Sequence, residues 1–353
     1  MGRTSSLSGC RRRSSSAGSG DRVTSAVLRP RAGANPPRWD GSARGHYEVW
    51  YVTLSDPDSG RGFWFRYTLE APLDPARDPV AELWGFAFTP GRPAVGAKAT
   101  FPVAWPPGGG AVMRAGDGVL EDGRAVGEVA GLSWDLRWDV PSTAMWHIPG
   151  RLGRSAVPST RVVCPALGVT ISGRVTVAGE TVELTGARGC QTHLWGRQHA
   201  ARWAWGHCSA FRDGEGSALV EAVWAVPLLR PGRPAPAGAT LLYAEVDGVP
   251  LACNAWPWVA MARSRVESPR WELRGRTRDA RVRAVLEADV GEMAQVTYED
   301  PDGSHAWCAN SEIARGLLEV EWRDGRHRRF TTERLAHVEF GTREPDPRIP
   351  VLC

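Results

Sequence analysis

Lysine is nearly missing from this chain: Lys98 stands alone among 43 basic residues, all the others being arginine. So uniform a replacement reads as compositional bias of the genome rather than as a functional device. A basic surface is lacking too. The net charge of +4 comes from residues 1–38, which hold eight arginines against one aspartate, and the remainder is net −3. That balance leaves no electrostatic footprint for nucleic acid. No apolar run approaches the ~18 residues of a membrane-spanning helix, so only peripheral membrane contact stays open. The RRR near the start runs into SSSAGSGD rather than an apolar stretch, unlike an export signal, and the expected location is the cytoplasm. Seven cysteines, an odd number without short paired spacings, fit a reducing compartment better than a disulfide or zinc scaffold.

Several catalytic signatures are also absent. There is no G-x-S-x-G nucleophile elbow and no HExxH or C-x2-C metal unit. The glycine run at 108–110 has neither the following helix nor the lysine of a phosphate loop, so no cofactor is expected.

What the chain has in abundance is glycine (40), proline (27) and tryptophan (17). Many turns imply many short strands. HYEVWYVTL, a DPDSGRG turn and FWFRYTLE spell a β-hairpin from residue 46 to 70. Tyr47, Val49, Tyr51 and Thr53, with Phe63, Phe65, Tyr67 and Leu69, are expected to form its core face. The simplest register would set Trp50 beside Arg66 as a cation–π pair. LSWDLRWDV (132–140) alternates as a half-buried strand, and a second hairpin spans 169–187. Further alternating runs continue to 322, while 328–340 suits a short helix or a strand. No run of about 12 residues has a convincing helical period. Some fourteen or more strands without βαβ alternation, in two similar halves, predict an all-β protein of sandwiches or barrels. Residues 1–38, rich in Ser, Arg and Gly, are expected to be disordered and dispensable. At 353 residues two domains are the default, with a boundary near 195.

Cys190–Phe211, CQTHLWGRQHAARWAWGHCSAF, gathers three of eight histidines, two cysteines and three tryptophans in 22 residues. From Trp203 onward it alternates, placing Trp203, Trp205 and His207 on one face. HLWG reads as a turn that would deliver His193 and Trp195 to a cavity mouth. Cys190, His193, His199, His207 and Cys208 lack metal-ligand spacing, so no metal is expected. The remaining pattern is an aromatic pocket with a few polar groups: Trp195, Trp203, Trp205 and His207, with Trp50, Arg66, Glu221, Asn254, Trp256 and Trp258 as further ligand contacts. Its partner would be a hydrophobic small molecule. Chemistry there would be proton transfer, with His193 as the proton-handling residue and Glu48 as the accompanying carboxylic acid. Without chemistry the same pocket would serve a carrier.

WDGSARGHYEVWYVTL resembles the opening of tocopherol cyclase-like proteins, matching at Glu48, Trp50 and Tyr51. HLWG and RWAWGHCSAF are similar to that family's NWG and W-x-W-x-x-C-N-x-F, matching Trp195, Gly196, Trp203, Trp205, Cys208 and Phe211. Carotenoid hydratases of the same superfamily carry DHNWG here; His193 matches their histidine, while Thr192 and Leu194 replace the acid and the asparagine. The resemblance implies two lipocalin-like antiparallel β-barrels side by side, residues 39–195 and 196–353. It also implies a cofactor-free cyclase or hydratase acting on an isoprenoid- or polyketide-like compound. It does not fix the oligomeric state.

Overall fold

A computed structural model describes residues 27–148, 160–230 and 232–353. Almost every ordered element in it is an antiparallel strand, and two 3-10 turns, Trp258–Met261 and Val290–Glu292, are the helices that lie wholly within the described residues. The ambiguous stretch near 328–340 is strand, within His327–Thr342.

Two large sheets divide the chain between Gly196 and Arg202. In the first, the strands His46–Ser55, Gly62–Ala71, Val80–Phe88 and Val95–Pro102 meander outward, and Glu180–Gly196 returns to pair with His46–Ser55. The second repeats this plan: Arg202–Cys208, Ala218–Val226, Ala239–Val246 and Val249–Ala252 run outward, and His327–Thr342 returns beside Arg202–Cys208. Each sheet curls over an interior of its own. Trp50, Phe63, Phe65, Leu69 and Trp134 fill the first, and Cys208, Leu242, Trp271 and Leu286 the second. The hydrogen-bonded strand order stays open in both, so the expected barrels are curled sheets without ladder closure among the described residues.

A third core lies between the sheets, built on Tyr47, Tyr51, Trp64, Trp84, Trp203, Trp205 and Tyr298. Alternation explains it. Even-numbered Trp50 and Val52 point into the first sheet's curl, and odd-numbered Tyr47, Val49 and Tyr51 point toward the second sheet. Both faces of the hairpin are therefore buried, and every residue of Gly62–Ala71 is shielded from solvent. The approach is close enough that a Cβ on Gly62 would run into the Glu312 backbone across the interface.

Two expectations are corrected at this level. The hairpin forms, but its register sets Tyr51 opposite Arg66 and Trp50 opposite Tyr67. Trp50 and Arg66 thus lie on opposite faces; Trp50 stacks on His193 at 4.6 Å, and Arg66 lies over Tyr298 and Trp84. Residues 27–38 of the expected tail are ordered, with Leu28–Pro30 paired to Thr143–Trp146. Few apolar side chains are needed there, because hydrogen bonds hold the segment: the Gln191 amide donates to Asn35 Oδ1 at 2.7 Å, and the Arg31 guanidinium bonds Asp122. Residues 1–26 of the expected tail lie outside the described residues.

Candidate functional site

Between the two sheets lies a cavity of about 390 Å³. The first sheet contributes Tyr47, Tyr51, Trp64 and Arg66, and the second contributes Trp203, Trp205, Tyr298 and Glu339. His147, just after the Thr143–Trp146 strand, and His199, in the connection between the sheets, complete the polar lining. Apolar walls with a few converging ionisable groups are the usual form of a small-molecule site.

His147 is held from behind. Its Nε2 lies 2.9 Å from Glu221 Oε1, and the Asn254 amide donates to its backbone carbonyl at 3.0 Å. Glu221 is fully buried and accepts two more bonds, from the Trp205 indole N–H (2.7 Å) and from His207 Nδ1 (2.9 Å). Burial pushes the Glu221 carboxyl up, but the bonds from His147 and His207 outweigh it and hold the group below its ordinary value. An ionised Glu221 fixes the proton of His147 on Nε2, leaving Nδ1 as the basic nitrogen. That Nδ1 has no hydrogen-bond partner among the described residues.

Glu339 is the opposite case. Burial lifts its carboxyl to about 7, only partly offset by the Trp203 indole N–H at 2.9 Å and by the charge of Arg66. Near neutral pH it is therefore divided between acid and carboxylate. His199 is a third titratable group. Its Nδ1 lies 2.6 Å from Asp300, its ring stacks on Tyr47 and Tyr298, and Asp300 is also paired with Arg343.

The residues expected from sequence distribute unevenly around this cavity. Arg66, Trp203 and Trp205 line it. His207, Glu221 and Asn254 stand behind the lining, in the network that holds His147. His193 and Glu48 meet each other instead, Nε2 to Oε1 at 2.7 Å, both fully buried and away from the cavity. His193 Nδ1 lies 2.8 Å from the Ala34 carbonyl, and Glu48 also accepts the Arg38 and Trp39 backbone N–H groups. Burial pushes Glu48 up, but bonds from His193, His46 and Trp39 prevail and hold it at about 2. The pair ties the amino-terminal segment to the sheet. The turn expected at HLWG is instead the end of the Glu180–Gly196 strand, and His193 is fully buried within it. Trp50 stacks on His193 and Trp195 lies tilted against it, with Arg38 over Trp195. Trp258 carries Arg276 over its ring outside the cavity lining, and Trp256 is 69% exposed.

His147, Glu339 and Tyr298 are the groups that sequence reasoning missed. Each is a single polar residue in an ordinary run, and only the packing of two sheets brings them together. Cys190, His207 and Glu221 place ligating atoms within 4.8 Å of one another, a grouping that sequence spacing did not reveal. Both Glu221 oxygens there already accept hydrogen bonds, and burial raises the Cys190 thiol well above its ordinary value, disfavouring the thiolate a metal needs.

Two curled antiparallel sheets thus enclose a shared, largely apolar cavity. No family model matches the chain. It is 30% identical over 311 residues to the uncharacterized protein Rv0493c of Mycobacterium tuberculosis, covering 87% of this chain and 89% of that one, and belongs to the same family. Among solved structures it shares its fold with CghA (TM-score 0.59, 11% identity, 89% of this chain and 92% of that one). Kievitone hydratase of Nectria haematococca matches with TM-score 0.50 and 10% identity over 90% of this chain and 94% of that one. No helix among the described residues is long and apolar enough to cross a membrane.

Proposed function

We propose that the protein adds water to, or cyclises, an unsaturated hydrophobic compound of isoprenoid or polyketide type in the cavity between its sheets, by acid–base catalysis without a cofactor. The observation that carries this reading is His147, which lines the cavity, is backed by Glu221 and has no hydrogen-bond partner at Nδ1 among the described residues. A cavity meant only to carry a ligand has no need of such a group, whose burial without a partner costs stability. That a hydratase has the same fold agrees with the reading.

In the proposed reaction Glu339 in its acid form gives a proton to one carbon of the double bond. His147 Nδ1 takes a proton from water as its oxygen bonds the neighbouring carbon, so one water is added and the protein's own protons balance. For ring closure a hydroxyl of the substrate takes the place of that water. The faces of Trp203 and Trp205 stabilise the positive charge that develops between the two steps. His193 and Glu48 take no part; they are the buried clasp of the amino-terminal segment.

The test is turnover of unsaturated isoprenoid and polyketide-like compounds, followed by mass spectrometry for the gain of one water or by chromatography for a ring-closed isomer. His147→Ala should lower turnover by about 10²–10⁴-fold, the usual worth of a general base, with ligand binding retained. Unchanged turnover in that variant would assign the chemistry elsewhere. Binding with no conversion of any compound by the unaltered protein would make the cavity a carrier site.

A further inference from the structure

Among the described residues most charged groups around the cavity are ion-paired, Arg66 and Glu339 being the exceptions in its lining. Asp300 has His199 and Arg343, Glu221 has His147 and His207, and Lys98 has Glu82 at 3.0 Å. Arg66 is 5% exposed and bonds only through Nε, to Thr68 Oγ1 at 2.9 Å. Among the described residues no carboxylate lies within 4.0 Å of its guanidinium. Its planar group instead rests on aromatic faces, 4.0 Å from the Tyr298 centroid and 5.3 Å from that of Trp84. Arg66 nevertheless lines the cavity. Glu339, the carboxylate that shares the lining, is bonded to the Trp203 indole.

A buried guanidinium with an unused fork is costly, and it matches one ligand group best: a planar carboxylate that accepts two parallel N–H bonds. We infer that Arg66 is the anchor of a carboxylate subsite, so that the molecule taken by the cavity is an apolar acid with its hydrocarbon body against the tryptophans. Stacking on Tyr298 and Trp84 fixes the plane of the guanidinium before the ligand arrives, which reduces the ordering cost of binding. The inference rests on the cavity being the ligand site and names what that site selects.

Calorimetry on the full chain at pH 7 with 2-naphthoate and its neutral counterpart 2-naphthamide tests it. The acid should bind the unaltered protein at least about tenfold tighter than the amide, the minimum expected for a charge-assisted pair in a buried site. Arg66→Gln should remove that preference, the acid losing at least about tenfold more affinity than the amide, and Arg66→Lys should keep part of it. Equal binding of acid and amide to the unaltered protein would overturn the inference and leave the cavity reading standing. So would a preference that persists in Arg66→Gln. If neither compound binds, the cavity reading falls and the subsite with it. Retained affinity for the amide shows that the variants are folded.

Discussion

Glu48 and Glu312 are both buried carboxyl groups, yet they titrate in opposite directions. Glu48 accepts several N–H groups and is held at about 2, so its contribution to stability is present above its ordinary value of 4.5 and is lost as pH falls toward 2. Glu312 is lifted to about 8 by burial, which the bond from Thr53 only partly offsets. Its sign is reversed: the contribution is complete below 4.5 and is lost as pH rises through 8. His337, beside Glu312, is pulled well below 6.5 by burial and affects stability only on the acid side of that value. Between pH 6.5 and 8 the melting temperature should therefore fall. Glu312→Gln should flatten that fall, though Glu339 and Glu70, both raised to about 7 chiefly by burial, leave a residual slope. Thermal melts at half-unit pH steps read this directly, and equal slopes in the two proteins would contradict it. At this scale the sequence singled out residues that the structure gathers at or behind the cavity, but not the contacts that gather them. Glu221, His207, Trp205 and Asn254 were all singled out, but the group they hold, His147, carries no local pattern. His193 was chosen on its neighbours in the chain, while its actual neighbours are Glu48 and Ala34, more than 140 residues away in sequence.

Strands and hairpins were legible wherever one face is polar or the alternation is unbroken, as in Leu132–Trp138 and the His46–Ala71 hairpin. Long strands were read in pieces, because Thr160–Val177 and His305–Trp322 contain register shifts that reset the two-residue period. Residues 27–38, the described part of the expected tail, differ from that expectation for another reason. Composition counts apolar burial, and this stretch is held by polar bonds: Asn35 to Asp122 and Gln191, and the Arg38 and Trp39 N–H groups to Glu48. Removing residues 1–38 takes the Arg38 N–H from Glu48, the Ala34 carbonyl from His193 and the Asn35 side chain from Gln191. The expected cost is several kcal/mol, since each buried polar group left unpaired costs about 1–3 kcal/mol. Urea melts of the truncated and full-length chains measure it, and superimposable curves would show the segment to be dispensable after all.

Across the whole molecule, two sheets of the same strand plan stand back to back, and this duplication was visible in the two similar halves of the sequence. The place where they meet was not. Period-two alternation assigns the two faces of a strand but does not say which other strand each face will meet. Tyr51 and Trp205 touch edge to face at 5.4 Å although 154 positions separate them, and the cavity exists only because such contacts close around it. The proposed function requires ligands to enter that space and not the interior of either sheet. A crystal structure of the full chain with 2-naphthamide bound is the direct measurement. The ligand should lie between the sheets, in contact with His147, Trp203 and Tyr298. Density inside the first sheet against Trp134, or inside the second against Trp271, would contradict it.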